Sequence, residues 1–169
     1  LEIGTYCGKS AVYLGAAARD AGTVLFTIYH HRGSEEHPSG EGFHDPRLED
    51  SRGRVDTLPE FRITIDAAGL WDVVVAVVGD SKSVAKGWSS LLGLVFIDGG
   101  HSKAAAHADL DGWASHIADG GLLAIHDVFP DPRDGGRPPF EIYMKALDSG
   151  RFDEIEAVGS LRVLKRNSA

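Results

Sequence analysis

Apolar residues along this chain fall into short unbroken runs separated by stretches of helical period. Continuous apolar runs mark strands buried on both faces, as in a parallel sheet, and their alternation with helical stretches marks an α/β fold. The pattern predicts strands at about 1–3, 23–30, 73–79, 93–98, 121–126, 152–158 and 161–166, with helices near 8–20, 56–69, 82–91, 102–118 and 138–149. Within the fourth of these helices Ala106, Leu110, Trp113 and Ile117 recur at i, i+4, i+7 and i+11, which makes one face and assigns Trp113 to the core. Gly120-Gly121 is expected to close that helix and Ser149-Gly150 the next, as C-terminal glycines do. Only Gly159-Ser160 separates the last two strands, so they should form a hairpin with the final strand antiparallel. The fold class is therefore α/β, a doubly wound and mostly parallel seven-stranded sheet with an antiparallel C-terminal strand.

One stretch has no period. His30 to Val55 is rich in Gly, Pro, Glu and His, and loops that long in a compact domain commonly cover a site. Length and composition, 169 residues with 43% hydrophobic and 25% charged, fit a single domain over 1–169. The chain opens without Met on LEIG, which reads as the end of a strand and predicts that an N-terminal segment is missing. Seventeen Lys and Arg against twenty-five Asp and Glu leave a formal charge of −8, with no basic stripe to follow a phosphate backbone, so no nucleic-acid partner is expected. A lone Cys7 and no CxxC spacing fit a reducing, cytoplasmic setting. The longest apolar run, Val73 to Val78, is too short to cross a membrane, and no membrane partner is expected.

Three segments carry chemistry. LEIGTYCGKSAV, Leu1 to Val12, is a strand end, a glycine turn and a helix start, where unpaired N–H groups can receive a carboxylate or phosphate. It is neither GxGxxG nor a P-loop, which weakens dinucleotide and triphosphate readings. FIDGGH, Phe96 to His101, and AIHDVF, Ala124 to Phe129, each end an apolar run at an acid beside a histidine. Ligands of open α/β sheets bind beyond the carboxyl ends of strands, so Asp98 and the pair His126-Asp127 should meet on one rim. Two carboxylates with nearby imidazole suit a divalent metal, Mg²⁺ or Mn²⁺ rather than Zn²⁺. Asp98 and Asp127 could otherwise simply cap the turns that follow them.

Together these residues resemble a known family. LEIGTYCGKSAV looks like motif I of the class I S-adenosylmethionine-dependent methyltransferases, and is similar to that of catechol O-methyltransferase. FIDGGH followed by DLDGWASHIADGGLLAIHDV resembles the later motifs of the branch that includes bacterial metal-dependent sugar O-methyltransferases. The resemblance runs from Leu1 to about Lys165 and implies a Rossmann-like fold, a magnesium-assisted methyl transfer to a small hydroxylated acceptor such as a saccharide, and a homodimer. It implies that Glu2, Gly4, Tyr6 and Ser10 line the methionine end of S-adenosylmethionine, and that Asp80 and Ser81 of VVGDS border the adenine. Asp98 would serve cofactor and metal, with His126 and Asp127 as further metal ligands. Where metal-dependent members carry a Lys general base three residues after the first acid, this chain has His101. An imidazole of pKa near ~6.5 is largely free to accept a proton at neutral pH, whereas Lys must first be depressed from about 10.4.

The chain departs from the family at Tyr29 of LFTIYHHRG, where an acid usually binds the ribose hydroxyls. A phenol makes a hydrogen bond but cannot chelate a diol. In the long loop, Arg32, Glu35, Glu36 or His37 would contact a polar substrate or complete the metal shell, if the loop is a lid rather than a solvated surface. FPDPRDGGRPPF, after the fifth strand, would form another wall. A degenerate, non-catalytic nucleotide-binding domain and a metal-dependent hydrolase are the competing readings, while a nicotinamide oxidoreductase lacks its glycine fingerprint.

Overall fold

A computed structural model describes residues 1–33, 45–100 and 102–168. The chain divides into two compact units, Glu2–Asp80 and Leu1 with Ser81–Ala169. All seven strands expected from the apolar runs are present, with five α-helices and two 3-10 turns among the described residues.

In the first unit β1 (Glu2–Ile3), β2 (Leu25–Tyr29) and β3 (Val74–Val78) pair in parallel, β2 in the middle. Helices α1 (Lys9–Asp20) and α2 (Leu58–Ala67) connect them. Their apolar faces meet Leu25, Val73 and Val74 in a core of Ala11, Ala18, Phe61, Ile65 and Leu70. The face of α1 is made of small residues because β3 lies close beneath it: a Cβ on Gly15 would stand 2.7 Å from Val74 Cγ2.

In the second unit α3 (Ser81–Gly87), β4 (Leu92–Ile97), α4 (Lys103–Trp113), β5 (Ile117–Ile125) and α5 (Arg137–Asp148) alternate, followed by β6 (Phe152–Val158) and β7 (Leu161–Arg166). Strands β4 and β5 are parallel, and β7 pairs antiparallel with both β5 and β6. The hairpin read from Gly159-Ser160 is thus present, and Gly150, left-handed at φ 67, ends α5 as expected. Trp113 is fully buried, edge-on to Trp88 at 5.5 Å, and its indole N–H donates to Ser81 Oγ at 2.9 Å.

Gly120-Gly121 does something other than close a helix. Helix α4 already ends at Trp113 and tightens into a 3-10 turn over Ala114–His116, so Ile117 begins β5 and the glycine pair lies inside that strand. Register against β4 jumps from Leu92↔Ile117 to Leu94↔Leu122, and the residues between bulge out. A Cβ on Gly121 would stand 2.8 Å from the Ala118 carbonyl oxygen and 3.1 Å from that of Leu92, so only glycine fits the bulge.

Candidate active site

Where β4 and β5 end side by side, the two acid-histidine segments come together. Ile97 pairs with Ile125, and the His126 N–H donates to the Ile97 carbonyl at 3.0 Å, which sets His126 beside Asp98. In a continuing strand residues 126 and 127 would face opposite sides of the sheet. Asp127 instead adopts φ 57, a left-handed conformation that Asp tolerates better than most residues, and the alternation is broken. His126 Nδ1 consequently lies 3.1 Å from Oδ1 of Asp98 and 3.1 Å from Oδ1 of Asp127. Ligand atoms of the three residues all fall within 4.8 Å of one another.

These contacts are close without being hydrogen bonds. Among the described residues the buried Nδ1 atom has no partner in hydrogen-bonding geometry, although both carboxylates are within reach. Three electron-rich atoms converging in this way suit a cation between them. A cavity of about 10 Å³ bounded by Asp98, Gly99, His126 and Pro139 adds room for one water-sized ligand. The donor set therefore fits a divalent metal. His101, the expected proton acceptor, lies outside the described residues.

The glycine turn belongs to the first unit. Gly4, Tyr6 and Gly8 take φ 97, 48 and 92, so the chain reverses between β1 and α1 through three left-handed residues. The φ of 92 at position 8 favours glycine, and a Cβ there would also stand 3.1 Å from the Phe61 ring, which would have to give slightly. Among the described residues no side chain caps α1, whose first amides, Ser10 included, face the turn as at any helix start. The Thr5 hydroxyl is buried in this turn without a hydrogen-bond partner among the described residues. Glycine bends, an uncapped helix start and an unused hydroxyl fit the carboxylate end of an amino-acid ligand.

The other expected cofactor residues have mixed surroundings. Glu2 is fully buried in β1. Burial, with Cys7 and Asp45 nearby, raises the Tyr6 phenol above its ordinary value and keeps it a neutral donor. Tyr29 ends β2 half-buried and stacks on His30 at 4.9 Å. Asp80 is exposed just after β3, and Ser81 starts α3 with its hydroxyl accepting from Trp113. Cys7 is pushed up to about 11, chiefly by burial, so it stays a thiol at neutral pH.

The described part of the long loop, residues 30–33 and 45–55, carries ion pairs of its own. Arg32 reaches Asp50 at 3.5 Å and Asp56 at 3.4 Å, acids of its own segment. Residues Glu35, Glu36, His37 and His44 lie outside the described residues. His31, inside the His-rich stretch His30 to Val55, is a core residue: 2% exposed, hydrogen-bonded through Nδ1 to Thr57 Oγ1 at 2.8 Å, and packed on Phe61. Nothing in the local sequence separates it from His30, because the Thr57 partner is distant along the chain.

Burial lowers the His31 imidazole from 6.5 to about 4, against a smaller opposing pull from Asp56. Above pH 6.5 the ring is neutral both folded and unfolded. As pH falls towards 4 the unfolded chain takes up a proton that the folded chain resists, so stability falls, by about 3 kcal/mol in all. Urea unfolding from pH 7 to 4 should show this loss, and His31→Asn, which tolerates a left-handed backbone without titrating, should flatten it. Parallel profiles for the two proteins would assign the pH dependence elsewhere.

Comparison with known proteins gives the family and the fold. A family model described as a methyltransferase domain matches residues 1–128. Among solved structures, the O-methyltransferase NovP superposes with a TM-score of 0.69 at 15% identity, covering 99% of this chain and 71% of that one. The methyltransferase PaMTH1 of Podospora anserina, solved with S-adenosylhomocysteine, gives 0.68 at 15% identity, covering 99% and 70%. Calicheamicin methyltransferase CalS11 gives 0.67 at 14%, covering 97% and 70%. Fold and glycine turn define a Rossmann-like, class I S-adenosylmethionine-dependent methyltransferase. The chain belongs to the methyltransferase-domain family whose model spans its first 128 residues.

Proposed function

We propose that this methyltransferase acts on oxygen, transferring a methyl group to a hydroxyl of a small polar acceptor such as a saccharide, with a divalent cation assisting. The convergence of Asp98, His126 and Asp127 carries this reading, since methyl transfer to a weakly acidic hydroxyl gains most from a cation held by the protein. Among proteins of similar fold, NovP is an O-methyltransferase and CalS11 a TDP-rhamnose 3'-O-methyltransferase, which supports oxygen as acceptor and a sugar as its class.

S-adenosylmethionine supplies an electrophilic methyl group when bound, and a divalent cation supplies positive charge that favours an ionised hydroxyl. Glu2, Gly4, Tyr6 and Ser10 would hold the methionine end of the cofactor, its carboxylate at the start of α1. Tyr29 would offer one hydrogen bond to the ribose, and Asp80 and Ser81 would border the adenine. Asp98, His126 and Asp127 would hold the cation, and His101 would take the hydroxyl proton. In such a transfer the protein acts chiefly by alignment, and a protonated Cys7 fits the absence of a covalent step.

Isothermal titration should detect S-adenosylhomocysteine binding. A radiolabelled methyl-transfer assay on hydroxylated metabolites should show turnover that EDTA suppresses. His101→Ala should lower that turnover by about 10²-fold or more with unchanged S-adenosylhomocysteine affinity. Unaltered turnover would remove His101 as the base. The phenol of Tyr29, stacked on His30 where an acid is usual, favours a binding-only domain as the second reading. That reading requires binding with no turnover on any acceptor.

A further inference from the structure

We infer that His126 makes the Asp98–His126–Asp127 cluster selective for a first-row transition ion such as Mn²⁺ over Mg²⁺. The inference rests on the cation-assisted reading above and narrows which cation the chain takes.

The geometry bears on His126 in particular. Its Nδ1 is 3.1 Å from an oxygen of each carboxylate, yet it hydrogen-bonds to neither. A histidine that merely bridged two acids would aim an N–H at one of the oxygens and satisfy both groups. Here the ring nitrogen is instead positioned as a third donor beside the two carboxylates. The ring is held there from behind, by the Ile97 carbonyl on the His126 backbone and by Phe96, whose ring meets the imidazole edge-on at 6.3 Å. The side chain is 41% exposed while Nδ1 itself is buried, so the ring stands open to solvent and its nitrogen turns inward.

Donor chemistry then separates the ions. Mg²⁺ is small and hard, demands near-octahedral oxygen coordination and gives up water reluctantly, so exchanging an oxygen for an imidazole nitrogen weakens it. Transition ions accept nitrogen and oxygen together, and their affinity for mixed sites exceeds that of Mg²⁺ even for Mn²⁺, the weakest in the series. Two carboxylates keep the site anionic, which suits Mn²⁺ without demanding a soft ion. The left-handed turn at Asp127 breaks the strand alternation, so the adjacent residues 126 and 127 both bring a ligand atom to the one point that Asp98 also faces.

Mn²⁺ binding to the full chain, read by electron paramagnetic resonance with Mg²⁺ as competitor, tests this without any turnover measurement. Wild-type protein should hold Mn²⁺ at least about tenfold more tightly than Mg²⁺, and echo-envelope modulation should show coupling to one imidazole ¹⁴N. His126→Asp should abolish the ¹⁴N coupling and bring the two affinities to within about threefold. Displacement of Mn²⁺ by equimolar Mg²⁺, or bound Mn²⁺ without ¹⁴N coupling in the wild type, would overturn the inference and leave the methyltransferase reading in place. If neither ion binds, this inference and cation assistance fall together, while S-adenosylhomocysteine titration still decides the cofactor independently.

Discussion

Asp127→Asn lowers methyl transfer by about 10²- to 10³-fold while the protein stays folded. The size follows from what the carboxylate is asked to do. In the proposed site it is one of three donors converging on a cation, with Oδ1 3.1 Å from His126 Nδ1. Asn keeps the shape and one oxygen but removes the charge that neutralises the ion. The choice of Asn also separates chemistry from folding, because position 127 has φ 57 and Asn is the residue besides Gly that best accepts a left-handed backbone. Ala there would add a backbone penalty of roughly 1 kcal/mol and confuse the two effects. Steady-state kinetics should show the loss in kcat, with S-adenosylhomocysteine affinity and urea midpoint near those of the wild type. A variant with full turnover would take Asp127 out of the site and leave it a turn residue.

Trp113→Ala destabilises the chain by about 3–5 kcal/mol, a large share of the roughly 5–15 kcal/mol that holds a domain folded. Trp113 is fully buried, lies edge-on to Trp88 and 5.7 Å from His116, and donates to Ser81 Oγ. Truncation leaves a cavity the size of an indole between α3 and the end of α4, and it strips Ser81 of its donor. Trp113→Phe keeps most of the volume and should lose only about 1–2 kcal/mol, the part that belongs to the hydrogen bond and a smaller void. Chemical denaturation of both variants gives the comparison. Equal losses would mean that the indole N–H outweighs packing at this position. Because Ser81 is also proposed to border the adenine, Trp113→Phe should weaken S-adenosylhomocysteine binding if that serine's orientation matters to it.

Strand existence and order of appearance were legible because short unbroken apolar runs such as VVVAVV and LLGLVFI mark strands, although Val75, Val78 and Leu91 in them are exposed. Segment ends were not. Helix α4 stops at Trp113 because the chain tightens into a 3-10 turn, and β5 starts at Ile117, before the glycine pair that looked like a helix stop. A glycine pair reads the same whether it ends a helix or makes room for a bulge, and the difference is the nearness of the Ala118 and Leu92 carbonyls. His31 illustrates the same limit from the polar side. A histidine in a polar stretch reads as solvated, and only the fold brings Thr57 and Phe61 against it.

Sequence by itself determined the α/β class, the glycine turn at Gly4 and Gly8, and the two strand ends that carry Asp98 and His126-Asp127. Those features are local: periodicity, turn chemistry and the abrupt halt of an apolar run are all written within a few residues. The shared rim was expected from the strand ends, but only tertiary structure decided how closely the three side chains converge, because that depends on β4 and β5 pairing in register and on Asp127 turning left-handed at the end of β5. It also decided that His126 presents a nitrogen rather than forming an ordinary hydrogen bond, since a bond's direction is set by atoms that the chain brings together only on folding.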